Sequence, residues 1–263
     1  MFENKDILII GGTGFIGKYL VKRLLGLNCK LTIISLNSKN NGNNKNISHF
    51  NVNISKKDEI KNFFHNREFD FIFNLAGYVN HGSFRDSGEE IISQHFLSLI
   101  YQFQFINKTR LKKYIYIGSA DEFTDLSHNE KISEKKIGSP KTSYSFSKYA
   151  SINFLQMLYR SENWPVTIAR VFLTYGPGQL QNRLIPHVIL NGLKYGYVNT
   201  TEGSQIRDFC FIVDIIDGLI ILTINEDTTG NIYNIASGQP ISIKEIIGKI
   251  SKILNFKVNF GAI

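Results

Sequence analysis

Tyr144 and Lys148 stand four residues apart in a segment whose Pro140 and Thr142/Ser143 signal the start of a helix. That spacing places both side chains on one helical face. A phenol is a poor base at its reference pKa of about 10, but an adjacent ammonium and a cationic nicotinamide ring favour the phenolate and draw that value down. Ser119, at the end of the strand-like run Lys113-Tyr114-Ile115-Tyr116-Ile117, offers a hydrogen bond to the same substrate oxygen. The three residue types suit removal of a proton from a secondary alcohol while hydride leaves for a nicotinamide. Tyr and Lys also fall four apart by chance on ordinary amphipathic helices, so the chemistry requires a cofactor site elsewhere in the chain.

Residues Ile7 to Gly17 read as that site, a buried strand running into a glycine turn and then a helix. Gly12, Gly14 and Gly17 satisfy G-x-G-x-x-G, and Gly11, Gly14 and Gly17 a wider G-x-x-G-x-x-G. Glycine permits the tight turn, the close approach of a pyrophosphate and the packing of helix on sheet. The N–H groups and positive dipole end of the helix then face the phosphates. A second strand, Lys30-Leu31-Thr32-Ile33-Ile34-Ser35, ends where such folds meet the adenosine ribose. Ser35 is neutral and does not choose NAD over NADP, while Lys39 follows at a distance suited to a 2′-phosphate. The run Phe69 to Gly77 is a buried strand ending in small residues, against which a flat ring can lie.

The remaining chain must position these groups. Its 263 residues, 43% hydrophobic and 20% charged, suffice for one large α/β domain with a small appendage. The N-terminus lacks a signal-peptide layout and no apolar run reaches the length of a bilayer span, so a cytoplasmic protein without membrane partners is expected. Two cysteines make no disulfide framework, no Cys/His cluster has zinc spacing, and no metal is expected. The net charge of +8 comes from lysines spread along the chain, which suits solubility and anionic ligands rather than nucleic acid. Glu89 to Asn107 reads as a long helix burying Ile91, Ile92, Phe96, Leu99, Ile100, Phe103 and Ile106. Further helices are expected over 182–195 and 213–224, a strand over 205–211, and a capping box at Ser242-Ile243-Lys244-Glu245.

In this order the motifs resemble the NAD-dependent epimerase/dehydratase family of extended short-chain dehydrogenase/reductases, which act on nucleotide sugars. The resemblance covers nearly the whole chain. It rests on Gly11 to Gly17, Asn74-Leu75-Ala76-Gly77, Ser119, Tyr144-Ser145-Phe146-Ser147-Lys148, Arg170 with Tyr175-Gly176-Pro177-Gly178-Gln179, and Arg207 to Asp214. It implies an α/β fold: a Rossmann-type doubly wound parallel sheet with a smaller C-terminal substrate-binding subdomain. Residues 1–171 would form the dinucleotide-binding domain, and 172–263 mostly the subdomain, with segments returning to the sheet. By the same resemblance Tyr144 is the catalytic base, Lys148 binds the nicotinamide ribose and tunes Tyr144, and Ser119 steadies the sugar oxygen. NAD, with NADP left open, would be held by Gly11, Gly14, Phe15, Ile16, Gly17, Ser35, Asn53, Leu75, Ala76 and Gly77 together with Tyr144 and Lys148. Arg183 and Arg207 would meet the nucleotide part of the substrate, a task suited to a bidentate guanidinium. An ion pair of Arg207 with Asp208 or Asp214 is the equal alternative. A homodimer through Glu89–Asn107 and Ser143–Glu162 is expected, and the early stop after Ile263 would leave the sugar pocket's cover incomplete.

Several positions depart from the family. Asn53 stands where an Asp is usual, Phe123-Thr124 replaces Tyr-Gly, Leu173 replaces an Asn, and His95 replaces the Asn of the long helix. His95 reads as a satisfied core histidine. Asp121-Glu122 invites a 4,6-dehydratase, yet Ala120 separates the pair from Ser119 and puts alanine at the acid's place. The expected activity is therefore an NDP-hexose 4-epimerase. An NDP-4-keto-6-deoxyhexose reductase, an NDP-sugar 4,6-dehydratase and a non-catalytic dinucleotide- or RNA-binding module come after it in that order.

Overall fold

The computed structural model describes residues 1–37, 44–123 and 131–263. Among them twelve strands run in chain order: β1 (Asp6–Ile10), β2 (Lys30–Ser35), β3 (Ile47–Asn51), β4 (Phe71–Asn74), β5 (Lys113–Ser119), β6 (Val166–Val171), β7 (Leu173–Tyr175), β8 (Tyr197–Thr200), β9 (Ile206–Phe211), β10 (Ile232–Ile235), β11 (Pro240–Ser242) and β12 (Lys257–Phe260). The α-helices are α1 (Phe15–Leu25), α2 (Lys57–Phe64), α3 (Glu89–Ile92), α4 (Ser98–Phe105), α5 (Ser143–Glu162), α6 (Leu184–Tyr195), α7 (Ile212–Ile224) and α8 (Ile243–Leu254).

Seven strands form one sheet in the order β10-β6-β5-β4-β1-β2-β3, every pair parallel. Strands covered on both faces read as continuous apolar runs, and β5 is buried at all seven positions. One face packs against α2, α4 and α5 through Ile60, Phe63, Leu99, Phe103, Ile152 and Leu155. The other packs against α1 and α7 through Leu20, Leu24, Ile215 and Leu219. Removing one such side chain from water stabilises the fold by about 2 kcal/mol. The strand order reverses between β1 and β4, and the crevice outside their carboxyl ends is where an open α/β sheet takes its ligand.

The C-terminal third divides its residues. α7 and β10 belong to the large sheet layers, with Ile232 to Ile235 in parallel register beside Ile168 to Val171. The rest builds two small sheets, β11-β9-β7 and β12-β8. α6 and α8 close a separate core of Val188, Val198, Ile247 and Phe256. Ser242 and Glu245 make the capping box that starts α8. No helix among the described residues is long and apolar enough to cross a membrane.

Candidate functional site

Gly11 leaves β1 with φ +83 and its N–H donates to Ile34 O at 2.8 Å. A Cβ there would lie 2.9 Å from the backbone of Ala76, so glycine lets the turn after β1 touch the turn after β4. Gly14 is the N-cap of α1, and Phe15 and Ile16 open its first turn. No side chain caps that end and no acidic residue occupies it, which leaves the N–H groups and the dipole for an anion. Gly17 is buried against Gly12, where a Cβ would stand 2.6 Å from the Gly12 Cα. At the end of β2, the Ser35 Oγ is buried without a hydrogen-bond partner. An uncapped helix start and an orphaned hydroxyl along one strand edge fit a dinucleotide, whose pyrophosphate and ribose would satisfy them.

The Asn53 Oδ1 accepts from the Ser55 N–H at 3.0 Å and its Oγ at 2.7 Å, so its amide shapes the turn after β3. Leu75 N–H donates to Ile10 O at 2.9 Å and Ala76 N–H to Asn74 Oδ1 at 3.2 Å. Gly77 has φ +125 and lies against the His95 ring. Lys39 and Thr124 lie outside the described residues.

A capping box fixes the start of α5. Thr142 Oγ1 accepts from Ser145 N–H at 3.1 Å, and Ser145 Oγ accepts from Thr142 N–H at 3.0 Å. This sets Tyr144 and Lys148, 5% and 4% exposed, facing the end of β5. The Tyr144 hydroxyl hydrogen-bonds Ser119, the last residue of that strand. Lys148 Nζ donates to Ile117 O at 2.9 Å and lies 4.8 Å from the centre of the Tyr116 ring.

The lowered phenol pKa expected from the Tyr/Lys spacing is not what the folded chain produces alone. Burial pushes Tyr144 up to about 12, with Asp121's charge adding to the rise, while Ser119's hydrogen bond and Arg183's charge pull the other way. Burial likewise brings Lys148 down to about 8. Desolvation outweighs the local charges in a site this closed. A cationic group entering the crevice is what the phenolate still needs.

His95 corrects a second expectation. It is 3% exposed and its Nε2 lies 3.0 Å from Tyr78 O, but its Nδ1 is buried with no partner. Its ring meets Tyr144 edge to face at 5.1 Å. Burial, then the Lys148 charge, lowers it to about 3, so the imidazole is neutral at working pH.

Asp121 and Glu122 part company in the short 3-10 turn after β5. Glu122 points inward, 1% exposed, paired with the Arg170 Nε of β6. Arg170 Nη1 also donates to Asn234 Oδ1 at 3.1 Å. Asp121 stays on the site side, its N–H donating to Ser119 Oγ at 3.2 Å. His81 is a neighbour that sequence spacing did not reveal, its ring perpendicular to Tyr144 at 5.7 Å. Arg183, at the N-terminus of α6, is near enough for its charge to act on Tyr144. Arg207 stands exposed on β9, donating to Ile206 O at 2.8 Å, and makes no ion pair among the described residues. Asp208 is instead spent on the N–H groups of Ser237 and Gly238.

Fold and site together define an α/β protein of the dinucleotide-binding type, with Tyr144 and Ser119 meeting at the end of β5 and a glycine turn after β1 of the same sheet. The chain belongs to the NAD dependent epimerase/dehydratase family, whose profile matches residues 7–236. It is 29% identical to a dTDP-D-glucose 4,6-dehydratase of Dictyostelium discoideum over 95% of its own length and 64% of that protein's. It is 23% identical to a bifunctional UDP-glucose and UDP-xylose 4-epimerase of Pisum sativum, over 97% of this chain and 83% of that one. Among solved structures it resembles the dTDP-glucose 4,6-dehydratase DesIV of Streptomyces venezuelae with NAD and TYD bound. The TM-score is 0.85 at 18% identity, over 97% of this chain and 84% of that one, a likeness of fold.

Proposed function

We propose that the protein uses NAD to act at C4 of a nucleotide-linked hexose, as a 4-epimerase. The observation that carries this reading is that buried Tyr144 hydrogen-bonds Ser119 at the carboxyl end of β5, with Lys148 buried one turn further along α5 and the uncapped start of α1 following β1 of the same sheet. When bound, NAD would accept a hydride from the alcohol carbon and return it. Tyr144 takes the C4 hydroxyl proton, Ser119 holds the C4 oxygen, and Lys148 keeps positive charge beside the nicotinamide ribose. The turn from Gly11 to Gly17 receives the pyrophosphate and Ser35 the adenosine ribose. Asn53 borders the adenine, and Leu75, Ala76 and Gly77 floor the nicotinamide. Arg183 and Arg207 meet the substrate's diphosphate. The pairing of Glu122 with Arg170 supports return of hydride to C4 over elimination by an Asp121-Glu122 dyad. Phe146 and Met157, exposed on α5, support pairing of this helix with a second copy. Light scattering showing a monomer at micromolar concentration would sink that part.

The test is to purify the protein without added cofactor, denature it and identify any released nucleotide, then incubate fresh protein with UDP-glucose and dTDP-glucose. Retained NAD and a C4-inverted sugar by NMR are expected. Binding of NADPH alone, with single turnover of a 4-keto sugar, would replace the epimerase by the reductase.

A further inference from the structure

Tyr19 ties the helix that follows the glycine turn to the chain that leads into α6. It lies beyond the N-cap Gly14 by about 7.5 Å along α1. Its hydroxyl donates to Pro177 O at 2.8 Å, across 158 residues of sequence. Its ring meets that of Phe15, the first residue of α1, edge to face at 5.9 Å. Pro177 opens a strap, residues 177–183, which leads from β7 to Arg183 at the start of α6. Two contacts hold the strap on its β7 side: Gly176 packs against Ile212, and Gln179 Nε2 donates to Thr174 O at 2.6 Å. Elsewhere it lies open. Gly178 has φ +82 with nothing within 4 Å of where a Cβ would stand, and Leu180 is 66% exposed. The span from Pro177 to Arg183 reaches at most about 20 Å, and the Arg183 charge at its far end acts on Tyr144. The strap therefore runs from the dinucleotide turn to the mouth of the site.

We propose that Tyr19 is a positioning residue that couples the two ligand sites: it docks the strap on α1, so that a dinucleotide at the start of α1 strengthens the hold of Arg183 on the substrate's diphosphate. This rests on the proposed role of Arg183. A pyrophosphate on the free N–H groups of α1 fixes its first turn, Phe15 included. The Phe15 ring then steadies the Tyr19 ring against it, and the Tyr19 hydroxyl stays directed at Pro177 O. With the strap docked, Arg183 stands at the mouth before the substrate arrives, and the entropy of ordering it is no longer lost on binding. The coupling is reciprocal, so a diphosphate at Arg183 tightens the dinucleotide by the same factor. Repulsion between the two phosphate groups opposes this, but it acts with or without the Tyr19 hydroxyl. The contribution of Tyr19 is therefore the difference between the chain that has the hydroxyl and one that lacks it.

The test compares the native chain with Tyr19→Phe, which keeps the ring against Phe15 and removes only the hydroxyl. Amide hydrogen exchange over residues 176–183 is followed with and without saturating NAD, and titration calorimetry gives the affinity for UDP and dTDP in the same two states. NAD should slow exchange of the strap in the native chain and leave it unchanged in Tyr19→Phe. The ratio of nucleotide affinities, NAD-loaded over empty, should be about 5-fold lower in the variant, the scale of one hydrogen bond. A strap whose exchange NAD does not slow in the native chain, or slows equally in both proteins, overturns the coupling and leaves the C4 reading standing. So does an affinity ratio that is the same in both. Failure of UDP and dTDP to bind either protein overturns the role of Arg183 and the coupling together.

Discussion

His95 makes acid stability a measurement of the site. The imidazole is 3% exposed, and burial together with the Lys148 charge lowers it from 6.5 to about 3 against the opposing hydrogen bond of the Tyr78 carbonyl. The unfolded chain takes up its proton near the ordinary value, and the native chain refuses it until about 3. Between those limits the unfolded state binds more protons, so stability is complete above the upper one and is lost as pH falls through the window. Each pH unit inside it costs about 1.4 kcal/mol. From pH 6.5 down to about 4 the loss from this one group is about 3 kcal/mol, a large share of a typical domain's stability. Replacing His95 with Asn removes the titration and leaves carboxylates such as Asp70, which also resist protonation in the native state, common to both proteins. Urea unfolding at a series of pH values, native chain against His95→Asn, isolates the difference. The native chain should lose about 3 kcal/mol more than the variant over this range. Parallel curves would refute the argument, because they would mean that His95 reaches a charge partner or solvent when protonated.

Three further outcomes are expected from neighbouring contacts. Glu122→Gln leaves the Arg170 guanidinium, 2% exposed, without its charge partner. Calorimetry should show a loss of about 3–5 kcal/mol, and an unchanged melting temperature would mean that the pair is not buried. Tyr144→Phe keeps the ring against His95 and His81 and removes only the hydroxyl, so turnover should fall about 1,000-fold with melting within a few degrees of the native protein. Retained turnover would remove Tyr144 from the chemistry. Gly17→Ala puts a Cβ 2.6 Å from the Gly12 Cα, which forces α1 off the turn, so titration calorimetry should show weaker NAD binding alongside about 2 kcal/mol of lost stability. Unaltered binding would place the dinucleotide elsewhere.

Sequence reveals what is local. The turn from Gly11 to Gly17 is readable because strand, glycine spacing and helix lie within a few residues, and each glycine meets a demand of the same turn. The cap at Thr142 and the box at Ser242 are readable for the same reason, one side chain answering the backbone three residues on. Contacts made by folding are not readable. Glu122 and Arg170 lie 48 residues apart and meet because β5 and β6 are neighbours. Successive residues of a 3-10 turn point about 120° apart, so the adjacent carboxylates of Asp121 and Glu122 diverge, one to the site and one to the core. His81 sits in a loop with no periodicity to mark it, and only the Asn80 turn brings it over Tyr144.

The helical stretch 84–105 shows how a sound pattern can still misplace part of the inner face: Ile91, Leu99 and Phe103 are buried as expected. Its apolar spacing points Ile92, Phe96 and Ile100 inward, yet these are only partly buried, while His95, Ser98 and Gln102 join Ile91, Leu99 and Phe103 on the inner side. Two π turns, Phe84–Gly88 and Ser93–Leu97, interrupt the helix. Each widens the repeat beyond about 3.6 residues and rotates the downstream turns relative to a regular helix. The second contains His95. Part of the cost of burying polar side chains is offset by a chain of hydrogen bonds in which Gln102 Oε1 accepts from Tyr114 OH at 2.7 Å and from Asn74 Nδ2 at 3.2 Å, while Gln102 Nε2 and His95 Nδ1 are buried without partners. Asn74 then holds the Ala76 N–H through its Oδ1 at 3.2 Å. The inner face of this helix therefore braces the turn after β4, on which Gly77 and His95 touch. A continuous apolar stripe could fill that space, but it could not hold the Asn74 amide whose oxygen fixes the turn.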